Sequence, residues 1–79
     1  MPIEFKKQKA VFRGVVAVEE AEALLEWLQD KPAAKADLST CSHLHTANLQ
    51  VLMAAKTKVA SWPSDSGLRA WLEAALKSA

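Results

Sequence analysis

The stretch Ser39-Thr40-Cys41-Ser42-His43-Leu44-His45-Thr46 gathers a thiol, two imidazoles and four hydroxyls within eight residues. It holds the chain's single cysteine and both of its histidines. Three chemistries suit such groups. Soft sulfur and imidazole nitrogen are zinc ligands. Cys41, His43 and His45 alternate along the chain, so they converge on a metal only from an extended backbone. There is no second ligand cluster, Asp37 is the sole carboxylate nearby, and the spacing matches no zinc pattern. No metal is expected. A cysteine two residues from a histidine also suggests a nucleophile with its base. Nothing supplies an orienting third group, an oxyanion hole or a pocket, so no catalytic residue, no cofactor and no enzyme are expected. Cys41 and Leu44 are then buried, and the histidines hydrogen-bond loop backbone. The third chemistry lies at Thr46. A hydroxyl at a helix N-terminus is well placed to carry a phosphate, which meets free N–H groups and a favourable dipole. The plainer role is an N-cap or a packed first-turn residue.

These groups need elements to hold them. Ala34 to Leu38 reads as a short buried strand, bounded by Pro32 before and a Ser/Thr cluster after. A polar loop from Ser39 follows, and a helix runs from His45 or Thr46 to about Lys56. A loop at the carboxyl end of a strand, leading into a helix, is where open α/β sheets place function. The helix start adds unpaired N–H groups and a partial positive charge.

Around this centre, Ile3 and Phe5 alternate with Glu4 and Lys6 as in a half-buried strand. Ala10 to Val16 is a second strand, with Gly14 marking a bend or bulge. The two form a hairpin whose tip carries Lys6, Lys7 and Lys9, either a solvated turn that discourages edge pairing or a docking patch for an acidic partner. Val18, Ala21, Leu24, Leu25 and Leu28 make one apolar stripe of a helix from Val18 to about Lys31. Glu19, Glu22, Glu26 and Asp30 form its acidic face, and Trp27 lies beside the stripe. Lys58 to Trp62 is a strand stopped by Pro63. Ser64 or Asp65 caps a last helix, Ser66 to about Lys77, with the stripe Leu68, Trp71, Leu72, Ala75 and Leu76 and a surface ladder of Arg69, Glu73 and Lys77. The order β-β-α-β-α-β-α predicts an α/β fold with a four-stranded mixed sheet. The helices lie mainly on one face and leave the other thinly covered. Leu25, Leu28, Leu38, Leu52, Val59 and Leu72 are the expected core.

Seventy-nine residues fit one small domain, spanning 1–79. One cysteine cannot form an internal disulfide and fits a reducing compartment. The first residues hold no apolar run of signal-peptide length. No segment approaches the ~20 apolar residues of a membrane span. A cytoplasmic protein without membrane insertion is expected. A net charge of +1 argues against a dedicated nucleic-acid binder.

Asp37-Leu38-Ser39, then His45-Thr46-Ala47-Asn48-Leu49 and Val51-Leu52-Met53-Ala54-Ala55, resembles the STAS domain of anti-sigma-factor antagonists. In that family a strand ending in Asp-Leu-Ser leads to an aspartate–serine–small–glycine–aliphatic motif that opens a helix. The element order fits too, so the resemblance covers most of the chain. It implies that Thr46 stands at the phosphoacceptor position and Leu49 at the aliphatic one. His45 replaces the usual aspartate, which helps set the helix start, and Asn48 replaces the usual glycine, which allows close approach of a partner. The implied function is a bacterial-type regulatory protein–protein interaction module of a small STAS-like domain. Its contact surface is the 39–49 loop and helix start, with Ser42, His43, Leu44, His45, Thr46 and Asn48 as partner-binding residues. The implied partner is another protein, a regulatory kinase or an anti-sigma-like factor; a homodimer stays open. The alternatives are a non-switched structural STAS-like subunit, partnered by a transporter subunit, and a small metal- or thiol-dependent enzyme.

Overall fold

In a computed structural model, which describes residues 2–77, the chain is an α/β structure built on one four-stranded mixed sheet. Strands β1 (Ile3–Phe5) and β2 (Lys9–Val16) form the antiparallel hairpin, and Lys6 N–H closes its turn on Lys9 O at 2.8 Å. Strands β3 (Lys35–Leu44) and β4 (Lys58–Ser61) add in parallel, giving the order β1-β2-β3-β4. The helices are α1 (Ala21–Asp30), α2 (Thr46–Ala54) and α3 (Ser66–Lys77). The helix expected from Val18 opens with a tight 3-10 turn, Val18–Glu20, before α1 begins. Asp65 caps α3 by accepting Leu68 N–H at 2.8 Å, and the Arg69–Glu73–Lys77 ladder is closed by contacts of 3.0 and 2.9 Å. α2 ends in a Schellman motif: Thr57 N–H reaches Leu52 O and Lys56 N–H reaches Met53 O. Lys56 takes the left-handed position, φ 53°, that glycine fills most cheaply.

The helices cover one sheet face. Ile3, Phe12, Val16, Leu38 and Leu44 from the strands meet Leu24, Leu28, Leu49, Leu52 and Leu72 from the helices. Leu28, Leu38, Leu52 and Leu72 are buried as expected, and Val59 packs half-buried against them. Leu25 is corrected: it stands 39% exposed. It follows the fully buried Leu24, and one helical step of about 100° turns it to the edge of the stripe. Trp71 is corrected for the same reason beside Leu72, and is also 39% exposed. Trp27 is half-buried against Phe5, ring centroids 5.1 Å apart.

The largest departure is β3. The strand expected to stop at Leu38 continues to Leu44, so most of the expected loop is strand. The register explains how a polar stretch stays in the sheet. Between the pairs Val11–Asp37 and Arg13–Thr40, one β2 residue faces two of β3; between Gly14–Cys41 and Val15–His43, Ser42 is again one too many. These are two β-bulges. The first is sealed by side chains. The Asp37 carboxylate accepts from Ser39 N–H at 3.0 Å and Ser39 Oγ–H at 2.7 Å, and Thr40 Oγ1–H donates to Phe12 O at 3.1 Å. Opposite the second bulge, Gly14 adopts φ 61°, the left-handed conformation its missing Cβ permits. Setting aside Ser39 and Ser42, inward residues alternate with outward ones from Lys35 to Leu44. Ala36, Leu38, Cys41 and Leu44 are buried.

Candidate functional site

The carboxyl end of β3 delivers the polar cluster to the start of α2 through one residue, His45. Its backbone is extended, φ −63° and ψ 143°, as an N-cap requires. The His45 Nδ1 accepts Ala47 N–H at 3.0 Å, and the His45 carbonyl accepts from Asn48 N–H and Leu49 N–H. His45 N–H donates to Val16 O at 2.9 Å and ties the helix start to β2. The imidazole thus performs the capping task that serine, threonine or a carboxylate usually performs. It also takes up first-turn amides on which a phosphate would rest. Thr46, the first residue of α2, is exposed, and its hydroxyl has no hydrogen-bond partner among the described residues.

Ser42, His43, His45 and Thr46 are exposed, but two of the expected contact residues are not. Leu44 is 1% exposed and belongs to the core, because the bulge at Ser42 restores the inward phase of the strand. Asn48 is fully buried, and its Nδ2–H donates to Ala17 O at 2.8 Å. Leu44 is thus buried with Cys41, as the non-catalytic reading of the stretch expects, and not a surface contact; Asn48 is corrected from a surface contact to an internal support of the surface. Cys41 and His43 do not meet as nucleophile and base. Cys41 is 4% exposed in the core, whereas the His43 side chain is exposed. Burial pushes the Cys41 thiol pKa up, against a weaker downward pull from its hydrogen bond to His43 O at 3.4 Å. Among the described residues no three histidine, cysteine, aspartate or glutamate side chains come together to hold a metal ion.

Sequence reasoning missed the other wall of the site. Leu68 and Trp71 of α3 close an open groove of about 510 Å³ against His43, Leu44, His45 and Thr46. The signal was present: Trp71 lies one helical step from the centre of its stripe, where a large ring reaches the rim of the core. Two other depressions, about 350 Å³ each, lie elsewhere, one beside Trp62 and Lys77 and one between α1 and α2. Among the described residues no helix is long and apolar enough to cross a membrane. Comparison with models of known families gives no match, and comparison with curated proteins gives none either.

Proposed function

We propose that the chain is a regulatory protein–protein interaction module of the STAS, anti-sigma-factor-antagonist type, acting in the cytoplasm. It engages its partner through the groove of His43, His45, Thr46, Leu68 and Trp71. The observation that carries this reading is Trp71, 39% exposed beside the unpartnered hydroxyl of Thr46. Tryptophan is among the side chains enriched at the energetic centres of protein interfaces, where a surrounding rim excludes water. The two departures from the family pattern are compatible with it. His45 caps the helix as an aspartate would, and Asn48 folds inward rather than standing in the contact surface.

A second reading, a structural subunit that is never switched, draws on one observation. His45 already occupies the amides of Ala47, Asn48 and Leu49, which leaves little for a phosphate on Thr46 to bind.

The test starts from partners captured from the native cell, followed by calorimetry with wild type, Trp71→Ala and Thr46→Asp. Both positions are exposed, so both variants fold. Each should weaken binding by about 1–3 kcal/mol, Trp71 through lost contact and Thr46 through added charge in a desolvated rim. Two folded variants that bind as tightly as wild type refute the groove. Mass spectrometry of Thr46 from the cell separates the switched reading from the structural one.

A further inference from the structure

The sheet face that carries no helix is organised by charge. Lys9 stands directly opposite Lys35, and Lys35 directly opposite Lys58, so one lysine from each of β2, β3 and β4 lines up across the sheet. Ala10, Ala36 and Val59, one position on, point to the core, which places the lysines on the open face. Like charges directly opposite destabilise a sheet. Lys9 has a partial remedy in Asp37 at 3.8 Å, but no ion pair reaches Lys35 or Lys58 among the described residues. A row that costs stability and is left unpaired points to an acidic partner from outside.

The same chain carries the complement. Glu22, Glu26 and Asp30 project from the outer face of α1, with Glu19 just before it; all four are exposed, and none is ion-paired among the described residues. Strands about 4.8 Å apart spread three lysines over roughly 10 Å. A rise of about 1.5 Å per residue spreads Glu22 to Asp30 over roughly 12 Å. The two sets are opposite in sign and alike in span, but they lie on opposite sides of the sheet and cannot meet within one chain. Of the exposed large apolar side chains, Val15 lies on the sheet back and Val18 and Leu25 on the α1 side, while Trp71 belongs to the groove. Among the described strand residues the aromatic rings, Phe5 and Phe12, pack with the core, which leaves the open face no ring on which a base could stack. Glu4 and Asp37 interrupt its positive charge, which suits localised carboxylates better than a uniform lipid surface.

We propose that this chain associates with a second copy of itself, the acidic face of α1 in one copy seated on the lysine row of the next. The contact is heterologous, so it repeats head to tail. It does not depend on the groove described above and leaves that groove free.

Sedimentation velocity over a concentration series tests it. Wild type should associate at about 20 mM salt and sediment as a monomer at about 500 mM, because the contact is screened. Lys35→Glu/Lys58→Glu and Glu22→Lys/Glu26→Lys, folded by circular dichroism, should each lose association by about tenfold or more at low salt. Mixed in equal amounts, the two variants pair opposite charges again and should regain it. Wild type that stays monomeric at low salt overturns the proposal, as do variants that associate unchanged or a mixture that fails to recover. Monomeric wild type that pellets with phosphatidylglycerol vesicles, and loses this with Lys35→Glu/Lys58→Glu, assigns the row to lipid and overturns it too.

Discussion

Asn48 offers a quantitative test of how the site is supported. Among the described residues it is the buried polar side chain, with no exposed surface. Its Nδ2–H holds Ala17 O at 2.8 Å and so fastens the β2–α1 connection to the first turn of α2, while its Oδ1 is buried without a partner. Two substitutions pull these atoms apart. Asn48→Leu removes the orphaned oxygen but leaves the Ala17 carbonyl without its donor. The two effects offset, and the loss should stay within about 1 kcal/mol beyond any repacking cost. Asn48→Asp keeps the shape and, at neutral pH, turns a negative oxygen toward that carbonyl with no donor left. An unpaired buried charge costs about 3–5 kcal/mol, from a total of roughly 4–12 kcal/mol for a chain of this length. The pH dependence has a fixed sign. Burial holds the new carboxyl's folded pKa above its unfolded value of about 3.9. The variant is therefore closest to wild type below about pH 4, where the introduced carboxyl is a neutral acid that donates to Ala17 O. The gap then widens by up to ~1.4 kcal/mol per pH unit until the folded pKa is passed. Urea unfolding followed by tryptophan fluorescence from about pH 4 to pH 8 measures it. An Asn48→Asp protein as stable as wild type at neutral pH, or a gap that does not change with pH, refutes this account of the Asn48–Ala17 link.

Three other outcomes concern β3, which feeds the site, and its neighbour β2. Gly14→Ala meets no atom within 4 Å, so only the positive φ is strained; thermal melts should show a loss of about 1 kcal/mol, and a much larger loss means a steric conflict instead. Hydrogen bonds from the Ser39 hydroxyl, then from its amide, hold the Asp37 carboxyl below the usual carboxylate range. The stability it contributes is therefore full above about pH 4 and is lost as pH falls through the lowered value. Asp37→Ala should accordingly cost about 1–2 kcal/mol at neutral pH, and a difference from wild type that persists unchanged in strong acid contradicts this role. Cys41, buried with a raised pKa, should react with a thiol reagent only as the fold opens; native-state labelling as fast as in denaturant excludes the enclosed position.

The hairpin, the helices and the mixed sheet were legible because each rests on local periodicity and punctuation. Gly14 announced its bulge because only glycine is comfortable there. Leu25 and Trp71 were misplaced because a stripe in sequence has no width, and a residue one step from its centre is buried or exposed according to what packs beside it. The carboxyl half of β3 was illegible for another reason. Its buried residues Leu38, Cys41 and Leu44 recur every third position, a period that belongs to neither a strand nor a helix. The partners that make this spacing workable, Phe12 O and Gly14, come from a strand more than twenty residues away. Without the far half of that strand, local sequence places Leu44 in a loop and Asn48 on the outer side of a helix whose orientation depends on the strand.

The paired bulges make the site adjustable by length. Ser39 and Ser42 are exposed, and neither holds a place in the inward and outward alternation of β3. A lineage that loses either serine, or gains a residue beside it, keeps Thr40 and His43 outward and Cys41 and Leu44 inward. What changes is the twist of the strand, since each bulge adds to it. Only His45 separates that strand from α2, so the change passes into the direction of α2 and the width of the cleft it shares with α3. Single insertions or deletions at two serines can therefore reshape the groove while every residue that lines it stays the same.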